Sequence, residues 1–146
     1  VVFSEQDGNA RGRYVHSEQK IYLNSGMSQI DTISILIHET AHAILHALPV
    51  KDGVVVGMPE KSRRTREVEA ESIAYIVCQH FGIETGDSAF AYISKWSRDK
   101  ELEELKTSLD CISRTSAEMI DAIESCIPEL SMSQDKPEMS EKYFSR

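Results

Sequence analysis

Ile35-Leu36-Ile37-His38-Glu39-Thr40-Ala41-His42-Ala43-Ile44-Leu45-His46 is the stretch on which the reading of this chain turns. Apolar residues at Ile30, Ile33, Ile37, Ala41, Ile44, Leu45 and Leu48 recur at offsets of three and four. That spacing predicts a helix buried along most of its length and closed by Pro49. Ser28 and Asp31 stand three apart at its start and can form a capping box. Four residues along a helix amount to about 6 Å of rise and roughly one turn. His38 and His42 therefore project from one face and can reach a single metal ion. Zinc favours such nitrogen ligands, and a catalytic zinc typically keeps three protein ligands and an open position. Glu39 leans to the side of that face, where a carboxylate can take the proton of a water activated by the metal. Apart from Glu39, no charged residue lies between Asp31 and Lys51. An unpaired carboxylate in so apolar a helix is expensive, so its presence calls for a reason. The plainer reading is a helix carrying two histidines that only satisfy hydrogen bonds.

A third ligand would separate the two readings, and Arg66-Glu67-Val68-Glu69-Ala70-Glu71-Ser72 offers one. A second helix is predicted from about Arg64 to Phe81, with Ser62 or Thr65 as its N-cap and Gly82 as its stop. On it Glu67 and Glu71 are four apart and share a face with Ala70, Ala74 and Cys78, small enough for another helix to approach closely. One glutamate can bind the metal while the other accepts the second ring N–H of a ligand histidine. The pattern alone leaves open which does which. Glu69 points elsewhere and reads as part of a solvated face.

Outward from these helices, two short strands are expected at about Gly12–His16 and Lys20–Asn24, with the turn at Ser17-Glu18-Gln19. Residues 49 to 63 read as a loop with a strand at Val54-Val55-Val56. A short helix follows near Ser88–Trp96 and a longer one over about Asp99–Ile127, whose stripe includes Leu102, Leu105, Leu109, Ile112, Met119, Ile120 and Ile123. After Pro128 the chain loses periodicity, so the expected division is a domain over 1–127 and a tail or linker over 128–146.

The 146 residues suit one domain, and 40% apolar residues suffice for one core. A net charge of −8 argues against direct nucleic-acid binding, which rests on a cationic surface. No apolar run approaches the roughly 20 residues that cross a bilayer. Cys78, Cys111 and Cys126 cannot all pair and form no C-x-x-C, which suits reduced thiols in a cytoplasmic protein. The chain begins at Val1 rather than Met, so it reads as a fragment or processed product, and the lack of a signal peptide is uninformative.

The stretch from Ile35 to His46 resembles the active-site helix of zincin metallopeptidases. Arg66-Glu67-Val68-Glu69-Ala70-Glu71-Ser72-Ile73-Ala74-Tyr75 resembles the second-helix motif of ImmA/IrrE-like peptidases. From there through Tyr92-Ile93-Ser94-Lys95-Trp96 the chain is similar to the zincin-like domain of ArdC-type antirestriction proteins of mobile elements. The resemblance covers roughly residues 10 to 127. It implies that Glu67 is the third zinc ligand and that Glu71 is the partner that orients a ligand histidine. It also implies that a separate N-terminal domain, absent from this chain, binds single-stranded DNA. Thr40-Ala41 departs from the Leu-Gly of many relatives, at positions that do not ligate metal.

The resulting expectation is a small α+β zincin with a mostly antiparallel sheet edge, hydrolysing a peptide bond, with Zn2+ on His38, His42 and Glu67. Glu39 is the expected general base and Glu71 the orienting group; the partner is a peptide or protein substrate, in family members thought to be a regulatory protein. The alternative is a non-catalytic, zincin-shaped interaction module of an antirestriction or DNA-processing protein. Tyr75, His80, Tyr14 and His16 are candidates for stabilising an oxyanion. His46 is expected to be a core or rim histidine bonded to backbone. Lys61, Arg63, Arg64 and Arg66 are expected to be a solvated basic cluster with helix-end salt bridges.

Overall fold

The computed structural model describes residues 1–5, 8–85 and 88–127, so the expected tail over 128–146 lies outside the described residues. The chain order is β1 (Val2–Ser4), β2 (Gly12–Val15), β3 (Lys20–Asn24), α1 (Gln29–Leu45), β4 (Val50–Lys51), β5 (Val54–Val55), α2 (Arg63–His80), α3 (Ser88–Arg98) and α4 (Leu102–Cys126). The architecture is α+β: a small sheet against a helical body.

The sheet has the order β1-β3-β2, with β2 antiparallel to β3 and β1 parallel to it. Over residues 11–24 the pairing is antiparallel as expected, and the parallel β1, outside that span, makes the whole sheet mixed. Three residues are too few for alternation to announce β1, which is defined by its pairing with Tyr22, Leu23 and Asn24 of β3. In the β2–β3 turn, Gln19 takes a φ of 54°. Beyond α1, Asp52 (φ 52°) and Gly53 (φ 76°) make the two-residue, positive-φ turn that matches strand twist, and Val54-Val55 pairs back onto Val50-Lys51.

Both long site-bearing helices begin on a serine. The Ser28 Oγ accepts the Asp31 N–H at 3.1 Å, and the Ser62 Oγ accepts the Thr65 N–H at 3.2 Å. The carboxylate of Asp31 meets Arg11 at 2.9 Å. At the far end of α2, Gly82 at φ 73° lets Ile83 N–H reach Cys78 O (2.8 Å) and Gly82 N–H reach Gln79 O (3.1 Å). That is a Schellman ending, and Ile83 folds back onto the core.

Helix α2 is the centre of the molecule and packs against α1, α3 and α4. The core joins Ile37 and Ala41 of α1, Ala70, Ile73, Ala74, Val77 and Cys78 of α2, and Ile112 and Met119 of α4. Small side chains at the α1–α2 crossing bring the two backbones close, which is what positions the site. Burial of α1 is narrower than its periodicity suggests: Ile30, Ile33 and Ile44 are exposed, and only Ile37, Glu39 and Ala41 are buried. Helix α4 starts at Leu102, not Asp99, behind an N-cap Glu101 that makes no side-chain cap bond. No helix among the described residues is long and apolar enough to cross a membrane.

Candidate metal centre

His38 and His42 leave the same face of α1 with their Nε2 atoms 3.2 Å apart. Across the helix crossing, Glu67 offers Oε2 to His38 Nε2 at 3.3 Å and Oε1 to His42 Nε2 at 3.2 Å. Among the described residues these three are the group of metal-ligating side chains close enough to hold one ion. Ligand atoms at about 2.0–2.1 Å around a tetrahedral ion stand roughly 3.3–3.4 Å from each other. The two imidazole nitrogens stand 3.2 Å apart and each meets a different oxygen of Glu67 at 3.2–3.3 Å, close to that spacing, so the three residues, a triangle of donors, fit a divalent cation.

The electrostatics of the bare triangle follow from its geometry. Burial works against a charged His38, but Glu67 and Glu71 outweigh it and push the imidazole up to about 10. The two histidines hold Glu67 well below the usual carboxylate range against the opposing effect of burial. A cation in the triangle would take over the role of that proton.

Glu71 stands one turn beyond Glu67 and places Oε1 3.2 Å from His38 Nδ1, the ring atom facing away from the triangle. Of the two histidines, then, His38 is the one it reaches. Glu39 is 8% exposed. Burial raises its pKa, while His38, His42 and a hydrogen bond from the Tyr14 backbone N–H pull the other way. Two hollows, about 440 and 380 Å³, open on either side of this point and share Gly12, His38 and Glu39 in their walls. Strand β2 therefore borders the site, and Glu39 sits where the hollows meet.

The remaining sequence candidates sort by place. Tyr75 lines the first hollow beside Glu71 and His38. Tyr14 and His16 line the second, together with Arg63 and Arg66. His16 Nδ1 accepts the Leu48 N–H at 3.1 Å, tying β2 to the segment after α1. His80 is turned to α4, with Nε2 2.7 Å from Glu124.

Three expectations are corrected. Glu69 is not on a solvated face: it is fully buried, with Lys61 Nζ at 2.8 Å and His46 Nε2 at 2.9 Å. Its carboxyl stays below the normal range because these two partners outweigh its burial. His46 is buried as expected, but its ring bonds are to side chains, Glu69 and His42 Nδ1, the latter at 2.9 Å. Lys61 leaves the basic cluster to close this set. The physical reason is the position of α2, which is covered on nearly every side, so that a residue pointing away from the metal still faces protein. A signal was present in the sequence, since His46 lies one turn after His42 on the face that carries the site.

The family described as IrrE N-terminal-like domain (Peptidase_M78) matches residues 1–78, a span that contains His38, Glu39, His42, Glu67 and Glu71. A protein of Bacillus anthracis described as uncharacterized, pXO2-81, is 32% identical over 134 residues. That similarity takes in 88% of this chain and 22% of the relative, so the chain spans about a fifth of the relative's length. No solved structure matches. The donor triangle falls within the matched span, and the chain belongs to the IrrE N-terminal-like peptidase family.

Proposed function

We propose that this domain is a zinc-dependent metallopeptidase of zincin-like architecture, acting on a peptide bond of a protein substrate. The observation that carries the reading is the convergence of His38, His42 and Glu67, with a buried carboxylate, Glu39, sharing the walls of both hollows with His38. Two imidazole nitrogens and one carboxylate oxygen favour zinc over the harder cations. When bound, the metal supplies Lewis-acid polarisation of the scissile carbonyl and lowers the pKa of water near it. Glu39 takes a proton from the attacking water and returns it to the leaving amine. Glu71 sets a carboxylate oxygen 3.2 Å from His38 Nδ1, close enough to orient the ring once a small rotation aligns the N–H, which in this structure makes no hydrogen bond. Both hollows border Gly12, His38 and Glu39, so a peptide seated in either lies against the reacting centre.

The similarity of the 66–96 region to ArdC-type antirestriction proteins points to a mobile-element protein acting on a regulatory target. Three free thiols fit the cytoplasm, and the charge of −8 argues against direct nucleic-acid binding by this segment. A non-catalytic interaction module would have no use for a buried Glu39 carboxylate lining the hollows next to His38. A degenerate peptide mixture, analysed for new termini by mass spectrometry, tests the proposal. Cleavage by zinc-loaded protein, lost with chelator and with Glu39→Gln, is the expected result. Intact peptides in the presence of demonstrably zinc-loaded protein would overturn it.

A further inference from the structure

We infer that His46, Glu69 and Lys61 form a hydrogen-bonded positioning chain that fixes the tautomer and orientation of the His42 ring. The inference rests on the reading of His42 as a metal ligand. His42 turns Nε2 to the donor triangle, so a ligand His42 is neutral and carries its proton on Nδ1. That N–H has one receiver at 2.9 Å, His46 Nδ1, which must then present a lone pair. His46 accordingly carries its own proton on Nε2 and donates it to Glu69 Oε1, 2.9 Å away. Lys61 donates to both carboxylate oxygens, at 3.0 and 2.8 Å, and supplies the countercharge. Every donor in the set meets an acceptor in one direction only, and reversing any ring would set two N–H groups or two lone pairs against each other.

The chain begins at a ligand of α1, crosses to the centre of α2 and ends on the segment between β5 and α2. On the opposite side Glu71 Oε1 stands 3.2 Å from His38 Nδ1, an ion-pair contact without a formed hydrogen bond. Of the two ligand histidines it is His42 whose outer nitrogen is hydrogen-bonded, through a second imidazole, to a carboxylate of α2. A buried ion pair is a poor way to gain stability, because an apolar pair of similar volume does as well or better. Orienting a ligand is a use for it that an apolar pair could not serve. Such outer partners typically change metal affinity by about 10–100-fold.

The test combines tautomer assignment with metal affinity. Long-range 1H–15N spectra of the zinc-loaded wild-type protein should show protons on His42 Nδ1 and His46 Nε2; a His46 protonated on Nδ1 would overturn the inference without any substitution. In chelator competition, His46→Leu and Glu69→Gln should each weaken zinc binding by about 10–100-fold and alter the visible spectrum of the cobalt-substituted protein. His46→Asn, which keeps an acceptor near the position of Nδ1, should recover most of the loss. Variants that fold and bind zinc as tightly as wild type, with an unchanged cobalt spectrum, would overturn the chain while leaving the site intact. Wild-type protein that binds no zinc would instead overturn the site reading on which it rests.

Discussion

Glu67 of α2 bridges His38 and His42 of α1, with its two oxygens 3.3 and 3.2 Å from their Nε2 atoms. Nothing in the sequence neighbourhood of either partner makes that contact. It exists because Ala41, Ala70 and Ala74 are small enough to let two helices cross at close range.

Removing the carboxylate beside the triangle should separate chemistry from metal binding. Glu39→Gln is expected to retain zinc and lose about 10²–10⁴-fold in turnover of any cleavable peptide, measured as rate alongside metal content. Near-wild-type turnover would remove Glu39 from its assigned role.

Glu67→Ala and Glu69→Ala should fail in different ways. Glu67 is partly exposed, so its loss should cost metal and leave the fold standing. Glu69 is fully buried, and its loss strands Lys61 and His46 without their partner. About 3–5 kcal/mol of destabilisation is expected there, read by urea titration of the metal-free proteins. Equal stability of the two variants would contradict the assigned environments.

The metal-free protein should become less stable as pH rises. A folded-state pKa of about 10 for His38, against an ordinary 6.5, means that the protonated ring stabilises the fold fully below pH 6.5. That contribution is lost progressively as pH climbs towards 10. Thermal melts of chelator-treated protein across this range should show a falling Tm, and Glu67→Gln should flatten the slope. A Tm that rises over the same range would show that the cluster is not proton-held.

Gly12 marks the closest approach of β2 to α1. A Cβ built there would lie 2.6 Å from Ile35 Cγ2 and 3.2 Å from Leu23 Cδ2. Gly12→Ala should cost about 1–3 kcal/mol and, by moving β2 off the site, should raise KM more than it lowers kcat. Wild-type stability and kinetics would mean that the strand does not border the working cleft.

The parts of the molecule that were legible in the sequence are those written in local spacing. Helical offsets located α1 and α2, Ser28 marked the start of the first and left Ser62 or Thr65 for the second, and the four-residue steps from His38 to His42 and from Glu67 to Glu71 located the side chains that the structure brings together. The parts that were not legible depend on what lies opposite. Glu69 differs from Glu67 by two positions, which turns it to the other side of α2, and only the chain folded over that side, with Lys61 and His46, makes it buried. Ile30, Ile33 and Ile44 fit an apolar stripe, yet the sheet and α2 cover too little of α1 to bury them. Strand β1 exists only through its partner β3.

The convergence of His38, His42 and Glu67 on one ion is tested most directly by metal analysis after equilibration with zinc and gel filtration. Wild-type protein should carry one zinc per chain, and Glu67→Ala, with its fold verified by circular dichroism, should carry little. A folded wild-type chain that emerges metal-free, or a Glu67→Ala chain that holds zinc as fully as wild type, would contradict the account.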